Sequence, residues 1–198
     1  FTGLWLWDVS DSRVTDIQLK NNAWGSSAWC SGALSISNLQ RVEIDHVTTD
    51  EGLGYGIKAL GTNGPMHNVK FHDNYISVVP TGAWAGGSAP NIAFELWNVD
   101  MRNCEFFNNY ADNTVSLIMD EAQWVTPRGG TSIRVYNNVL DMEKRSGGMG
   151  YALEISMHDV EIDHNYINKG RYGIANWDQK LQNKYANWNI HHLSLIHI

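Results

Sequence analysis

Four ionisable residues in the middle of the chain have the side-chain chemistry of a catalytic centre. They are Lys58, Glu95, Asp120 and Glu154. Two carboxyl groups can serve as general acid and general base, and a lysine can remove a proton from a substrate. Three carboxylates could also hold calcium through their oxygen atoms. These residue types predict acid–base or calcium-assisted chemistry, provided that the fold brings them together.

The chain is also rich in tryptophan, with 9 in 198 residues. Trp5, Trp7, Trp97 and Trp177 occupy positions related to those of the ionisable residues in the repeat described below. Aromatic rings beside carboxylates suit a polysaccharide, because sugar faces stack on the rings while hydroxyl groups bond to polar side chains. Packing of the same rings beneath long loops is the structural alternative.

A short repeated pattern predicts the elements that position these side chains. Segments such as NVKFHDNY (68–75), NCEFFNNY (103–110) and DVEIDHNY (159–166) place two apolar residues two positions apart, with a polar residue between them. This alternation is typical of a strand with one buried face. The predicted pairs are Ile17/Leu19, Val42/Ile44, Val69/Phe71, Cys104/Phe106, Ile133/Val135, Val160/Ile162 and Trp188/Ile190.

A first strand precedes each of these second strands, and a third short strand follows, for example at Tyr75–Ile76. The unit recurs roughly every 25–30 residues, which indicates a solenoid. An asparagine recurs at the corner between the second and third strands. Asparagine tolerates left-handed backbone and can bond to its equivalent one coil away. We therefore expect a ladder of Asn22, Asn74, Asn109, Asn138 and Asn165, with a gap at Val47.

Outward side chains of successive first strands should form rows with a spacing of about 4.8 Å. One predicted row contains Trp5, Ser35, Lys58, Glu95, Ile118, Glu154 and Ala175. The next row contains Trp7, Ser37, Leu60, Trp97, Asp120, Ser156 and Trp177. Together they predict a groove in which carboxylates, a lysine and tryptophans share one surface.

The spacing of the carboxylates bears on the reaction. In these rows Glu95 and Asp120 are diagonal neighbours at roughly 7–8 Å, which lies within the roughly 6.5–9.5 Å of inverting glycoside hydrolases. A polysaccharide lyase would use the same carboxylates to hold calcium and Lys58 to remove a proton, assisted by Arg171 or His158. Both reactions remain open. Loops carrying Trp84, Trp124 and Arg128 would wall the groove.

The paired strands, the coil length and the asparagine ladder resemble the right-handed parallel β-helix superfamily of pectate-lyase-like proteins, over residues 3–192. The resemblance implies an all-β, right-handed, single-stranded parallel β-helix of about seven coils that lacks one or both caps. Polysaccharide lyases, glycoside hydrolases and phage tailspikes share this fold. The specific motifs of alginate epimerases, polygalacturonases and pectate lyases are absent, so the resemblance leaves the reaction open.

Composition excludes several classes of protein. The formal net charge is −7 and no basic run occurs, which argues against a nucleic-acid partner. No apolar stretch approaches the roughly 20 residues of a membrane span. Histidines near the corners are read as solvent-facing turn residues, and the absence of HExxH or paired-cysteine spacing argues against zinc.

The expected protein is a secreted, extracellular or cell-surface enzyme whose partner is a polysaccharide, with no cofactor other than calcium. A non-catalytic glycan-binding or structural surface solenoid is the alternative. Further coils of the same chain are expected to flank residues 1–192. The tail at 193–198, LSLIHI, breaks the repeat, and we interpret it as non-native, with a short capping strand as the alternative.

Overall fold

The computed structural model describes residues 3–20, 32–52, 55–60, 64–78, 92–97, 99–112, 114, 116–119, 131–141, 151–168, 172–175 and 187–196. These residues form strands and no helix. The strands are β1 (Leu4–Lys20), β2 (Gly32–Gly52), β3 (Tyr55–Leu60), β4 (Met66–His72), β5 (Tyr75–Val78), β6 (Ile92–Trp97), β7 (Met101–Phe107), β8 (Tyr110–Asp112), β9 (Ser116–Met119), β10 (Thr131–Tyr136), β11 (Val139–Asp141), β12 (Tyr151–Glu154), β13 (His158–Asp163), β14 (Tyr166–Asn168), β15 (Tyr172–Ala175), β16 (Trp188–His191) and β17 (Ser194–Ile196). Nothing in the described ranges has the length and apolarity of a helix that crosses a bilayer.

The strands wind into a parallel β-helix, as predicted. Every strand pairs in parallel with its equivalent one coil away, and the sheet curls through 306° around an axis. The strands β1 and β2 each run through a whole coil, whereas later coils consist of three separate strands. The first sheet contains β3, β6, β9, β12 and β15; the second contains β4, β7, β10, β13 and β16; the third contains β5, β8, β11, β14 and β17. The right-handed sense of winding stays a prediction.

The interior is apolar because one face of every strand points inward. Its centre is aromatic: the rings of Phe71 and Phe106 stack at 4.8 Å, and Phe94 meets Phe106 edge-on at 5.4 Å. All three side chains are fully buried. Five of the predicted apolar pairs, from Val42/Ile44 to Val160/Ile162, are in register and buried. The pattern of alternation therefore identified the core of these coils.

The asparagine ladder runs along the corner between the second and third sheets. Asn74, Asn109, Asn138 and Asn165 are each at most 2% exposed, and each of the first three donates from its side-chain amide to the side-chain oxygen of the next, at 2.9 Å. The left-handed backbone falls on the residue before each ladder position, with φ between 50° and 58°. Those residues are Asp16, His46, Asp73, Asn108, Asn137, His164 and His192.

The predicted register of the first coil is wrong. Ser12 and Val14 lie opposite Val42 and Ile44, so Ile17 lies opposite Val47 and occupies the ladder position that was assigned to Asn22. Asn22 itself lies outside the described residues. The error arose because Ile17 and Leu19 alternate just as a second strand does, although they belong to the third-strand part of β1. Periodicity alone does not distinguish the two.

Outward side chains of the second sheet form a row of alternating charge. In register from coil to coil it contains Arg13, Glu43, Lys70, Glu105, Arg134, Glu161 and Asn189. Arg134 Nε lies 3.2 Å from Glu161 Oε2, and Lys70 Nζ lies 3.9 Å from Glu105 Oε1. Opposite charges on neighbouring strands stabilise a sheet and like charges destabilise it. We call this row the charge ladder.

Part of the C-terminal tail forms the strand β17. Ser194, Leu195 and Ile196 pair with Tyr166, Ile167 and Asn168 of β14 and so extend the third sheet. Leu193 occupies the ladder position of this coil, and Leu195 is 48% exposed.

Candidate functional site

Three of the four ionisable residues predicted for the first sheet share one row. Lys58 lies opposite Glu95, Glu95 lies opposite Met119, and Met119 lies opposite Glu154. Their inward neighbours are the core residues Ile57, Phe94 and Leu153, so alternation directs the row to the outer face. We call Lys58, Glu95 and Glu154 the polar row.

The polar row is buried although it lies on the outer face of the sheet. Lys58 is 2% exposed, Glu95 5% and Glu154 4%. Lys58 Nζ lies 3.7 Å from the ring centroid of Tyr55, which is itself 1% exposed. Such a cation–π contact stabilises an ammonium group away from water. Three charged side chains thus occupy a sheltered surface rather than open solvent.

One position of the predicted row is wrong. Ile118 lies opposite Phe94 and Leu153 and is 1% exposed, so it belongs to the core, and Met119 is the residue that pairs with Glu95 and Glu154. The segment Ser-Leu-Ile-Met contains consecutive apolar residues without alternation, so its register could not be read from periodicity. Asp120 lies outside the described residues. The prediction that Glu95 and Asp120 are diagonal neighbours assumed that Ile118 lies opposite Glu95. Because Met119 lies opposite Glu95 instead, the register does not support that prediction.

Glu95 and Glu154 are the two carboxylates that the described residues bring into one row. They are two strands apart, about 9.6 Å between backbones at the usual spacing. That backbone spacing is just above the roughly 6.5–9.5 Å that separates the carboxyl groups of an inverting acid–base pair. Lys58 is one strand from Glu95, about 4.8 Å. The row therefore combines two carboxyl groups that leave room for a water molecule and one amine beside the first.

The structure also places three of the predicted tryptophans. Trp5 and Trp7 lie on β1 with ring centroids 5.0 Å apart and are 55% and 51% exposed. Trp5 lies opposite Ser35, and Ser35 lies opposite Lys58, so Trp5 belongs to the row of Lys58. Trp7 lies opposite Ser37, as predicted for the second row. Trp97 lies in β6 opposite Leu60, in the predicted register. Trp84, Trp124, Arg128, Arg171 and Trp177 lie outside the described residues.

A second group of polar residues, on the second sheet, was not predicted. Asp45 is fully buried and accepts hydrogen bonds from Arg13 Nε and Nη2, both at 2.8 Å, from Thr15 Oγ1 at 2.9 Å and from His46 Nδ1 at 2.6 Å. The hydrogen bonds from Arg13 hold the pKa of Asp45 well below its usual range, although burial opposes the shift. The hydrogen bond to Asp45 raises the pKa of His46. This group links the first coil to the second.

His72 differs from the predicted solvent-facing histidine. It is 7% exposed, with Nε2 2.6 Å from Glu43 Oε1 and Nδ1 2.7 Å from Asp73 Oδ2. Its ring stacks on Phe107 at 4.6 Å. A signal for these polar groups was present in the sequence. The pentapeptide VEIDH occurs twice, at 42–46 and 160–164, and the repetition indicates that the chain builds the same arrangement twice.

Comparison of the chain with protein-family models, with curated proteins and with solved structures finds no match in any of the three. The parallel β-helix assignment depends on the strand pairing described above. The side chains of the polar row and the exposed Trp5 and Trp7 are the observations from which a function can be argued.

Proposed function

We propose that this protein is a secreted, carbohydrate-active enzyme of the pectate-lyase-like superfamily that cleaves a polysaccharide along the outer face of the first sheet. The polar row is the observation that carries the proposal. Removing an ionisable side chain from water is costly, and buried ionisable groups that cluster outside a core are characteristic of functional sites. Ser35 and Met119 share the row, so the sheet also accommodates uncharged residues there.

The row supports two reactions. In an inverting hydrolase Glu95 and Glu154 divide the roles of acid and base, with water between them, because their separation leaves space for it. In a lyase the neutral amine of Lys58 removes the proton beside the uronate carboxylate, the electrons of that C–H bond form the new double bond, and the glycosidic oxygen departs with the leaving sugar. Glu95 then stabilises the ammonium group that results on Lys58. In both cases Trp5 and Trp7 bind sugar rings further along the row, since their faces are open to solvent.

Calcium is not part of the proposed mechanism. Oxygen ligands of one calcium ion lie 2.3–2.6 Å from it and so within about 5 Å of each other. Glu95 and Glu154 stand two strands apart with Met119 between them. Both side chains would have to converge across the strand of Met119 to share one ion.

A product screen on acidic and neutral polysaccharides tests the proposal. A lyase yields an unsaturated uronate that absorbs ultraviolet light, whereas a hydrolase yields reducing ends without that absorbance. We expect Glu95→Gln and Glu154→Gln to abolish hydrolysis, or Lys58→Met to abolish elimination, while Glu105→Gln on the second sheet retains the wild-type rate. Equal turnover in all four variants contradicts the catalytic assignment.

A non-catalytic glycan-binding surface is the second candidate, and the contrast in exposure favours it. Trp5 and Trp7 are half exposed, whereas the polar row is at most 5% exposed. A binding module needs exposed aromatic rings such as these, but it does not need buried ionisable residues. It predicts retention of a polysaccharide that is lost in Trp5→Ala, with no product from any substrate and no effect of Glu95→Gln on binding.

A further inference from the structure

The pentapeptide VEIDH builds the same arrangement twice on the second sheet. At 42–46 and at 160–164 it presents a glutamate and an aspartate on the outer face and a histidine at the left-handed corner. In both places the following coil sets another histidine opposite the aspartate: His72 opposite Asp45, and His191 opposite Asp163. The chain therefore contains two Glu–Asp–His clusters with the same backbone placement.

The two clusters differ in how closely they are packed. In the first, His72 Nε2 lies at hydrogen-bond distance from Glu43 Oε1, 2.6 Å, and the His72 side chain is 10% exposed. In the second, His191 Nε2 lies 3.5 Å from Glu161 Oε1, and the two side chains are 34% and 41% exposed. The two glutamates are equally exposed, so the clusters differ in the histidine: His72 is nearly buried and bonded to its glutamate, whereas His191 is more exposed and lies farther from its glutamate.

We propose that Glu161, Asp163 and His191 bind a divalent transition-metal cation of the zinc type. One ligand atom from each residue lies within 4.8 Å of the others. With metal–ligand bonds of roughly 2.1 Å, neighbouring ligands of a tetrahedral ion stand about 3.4 Å apart. The 3.5 Å between His191 Nε2 and Glu161 Oε1 matches that edge, while the 2.6 Å of the first cluster is too short for two ligands of one ion.

Two of the proposed ligands in the second cluster have neighbouring polar groups that orient them. His191 Nδ1 lies 2.7 Å from His192 Nδ1, and His164 Nδ1 lies 2.7 Å from Asp163 Oδ1. Partners on the far side of metal ligands orient them and fix the protonation of the ring.

Arg134 is the cation already present at this cluster. Its Nε lies 3.2 Å from Glu161 Oε2 and its Nη2 lies 3.3 Å from Asp163 Oδ2. At the first cluster Arg13 holds Asp45 with two bonds of 2.8 Å. Formally, Glu161 and Asp163 carry one negative charge more than Arg134 neutralises, as Glu43 and Asp45 do beside Arg13, but Arg134 is bonded less closely to its aspartate. A metal ion competes with Arg134 for Asp163 Oδ2 and binds the oxygen of Glu161 that faces His191.

An imidazole among the ligands selects the metal. Magnesium and calcium prefer sites composed of oxygen, whereas zinc and its neighbours in the first transition row bind imidazole and carboxylate together. Because Asp163 belongs to β13 and His191 to β16, the ion links two successive coils. The site lies on the second sheet and is independent of the polar row.

Titration of the intact chain with zinc chloride tests the site, by calorimetry and by metal retained after dialysis. We expect one equivalent to bind, His191→Gln and Glu161→Gln each to weaken binding at least tenfold, and zinc to raise the thermal unfolding midpoint of the wild type but not of His191→Gln. The matched variants His72→Gln and Glu43→Gln should keep the wild-type dissociation constant within twofold.

Three results overturn the proposal: no zinc bound by the wild type, unchanged affinity in His191→Gln and Glu161→Gln, or an equal loss in the matched pair. Circular dichroism of each variant establishes that it is folded, and His191→Gln is an exterior substitution that leaves the core intact. A parallel titration with magnesium chloride checks the class of metal, since magnesium binding of equal affinity contradicts a site selected by imidazole.

Discussion

The side-chain oxygen of Asn138 accepts two hydrogen bonds from Asn109, one from the backbone N–H at 3.0 Å and one from the side-chain amide at 2.9 Å. The side-chain amide of Asn138 in turn donates to Phe106 O and to Asn165 Oδ1, both at 2.9 Å. One side chain therefore satisfies polar groups of both neighbouring coils at a corner where water is excluded. These hydrogen bonds explain why asparagine occupies this position in four successive coils.

Asn138→Ala should destabilise the protein by about 3 kcal/mol or more. The substitution removes the acceptor of the backbone N–H of Asn109 and of one of its two side-chain amide N–H groups, and it removes the side-chain donor to the carbonyl of Phe106. Each buried unsatisfied group costs about 1–3 kcal/mol. Chemical denaturation measures the free energy of unfolding. The control is Asn189→Ala on the exposed outer face of β16, where we expect a change within about 0.5 kcal/mol. Equal losses in the two variants would contradict a special role for the ladder.

The contribution of Asp45 to stability should disappear in acid. Because folding lowers the pKa of Asp45, chiefly through the hydrogen bonds from Arg13, the ionised carboxylate contributes its full stabilisation above the usual aspartate pKa of about 4. The contribution is lost as the pH falls from there toward the folded-state pKa. The measurement is the difference in free energy of unfolding between wild type and Asp45→Asn across the acid range. A difference independent of pH would sink this prediction.

His46 titrates in the opposite sense and needs to be separated from Asp45. Its pKa is raised by the hydrogen bond to Asp45, so its contribution is present below the usual histidine pKa of about 6.5 and is lost as the pH rises through the raised value. The Asp45 comparison is therefore best made in a His46→Asn background. The acid step should persist there, while the step near neutrality should vanish.

Ile118→Ala tests the register of the fifth coil. On the observed register Ile118 is buried between Phe94 and Leu153, and truncation of a buried isoleucine costs about 2–5 kcal/mol. The outward position predicted from sequence would make the same change cost well under about 1 kcal/mol. Ile190→Ala, at a side chain that is 44% exposed, is the matched control. Denaturation midpoints of the two variants distinguish the registers.

Trp5→Ala and Trp7→Ala should each weaken polysaccharide binding about tenfold without changing the thermal midpoint. Their rings are half exposed and 5.0 Å apart, so they add little to packing but offer sugar faces a platform worth roughly 1–1.5 kcal/mol per ring. Affinity electrophoresis in gels containing the polysaccharide reads this out. Tyr75→Ala, an exposed aromatic on the third sheet, should migrate like the wild type, and its equal loss would show that binding is not specific to the first sheet.

The coil repeat was accessible from sequence because alternation and corner asparagines are local signals. Val69 and Phe71 flank an outward Lys70, and Asn74 follows at a fixed distance, so strand, face and corner could all be read from a few residues. The same reasoning failed where the local signal was ambiguous. Ile17 and Leu19 alternate equally well as a second or a third strand, and the apolar run at Leu117–Met119 has no alternation at all.

The candidate site was less accessible. Lys58, Glu95 and Glu154 could be placed in one row because each follows a small residue by two positions. Their burial could not be predicted, since the exposure of an outward side chain depends on what covers the sheet and not on the strand itself. Partners such as Arg13 and Asp45 were missed for a related reason: they are 32 residues apart, and they meet only once the register between coils is known.

The charge ladder gives odd-numbered coils a positive side chain and even-numbered coils a negative one. Arg13, Lys70 and Arg134 belong to odd coils, while Glu43, Glu105 and Glu161 belong to even ones. Removal of the single coil that carries Lys70 would set Glu43 directly against Glu105, whereas removal of two neighbouring coils would leave opposite signs in contact. The two copies of VEIDH stand four coils apart, an even number. A pair of coils, rather than one coil, is therefore the unit by which this solenoid can be lengthened or shortened without electrostatic conflict.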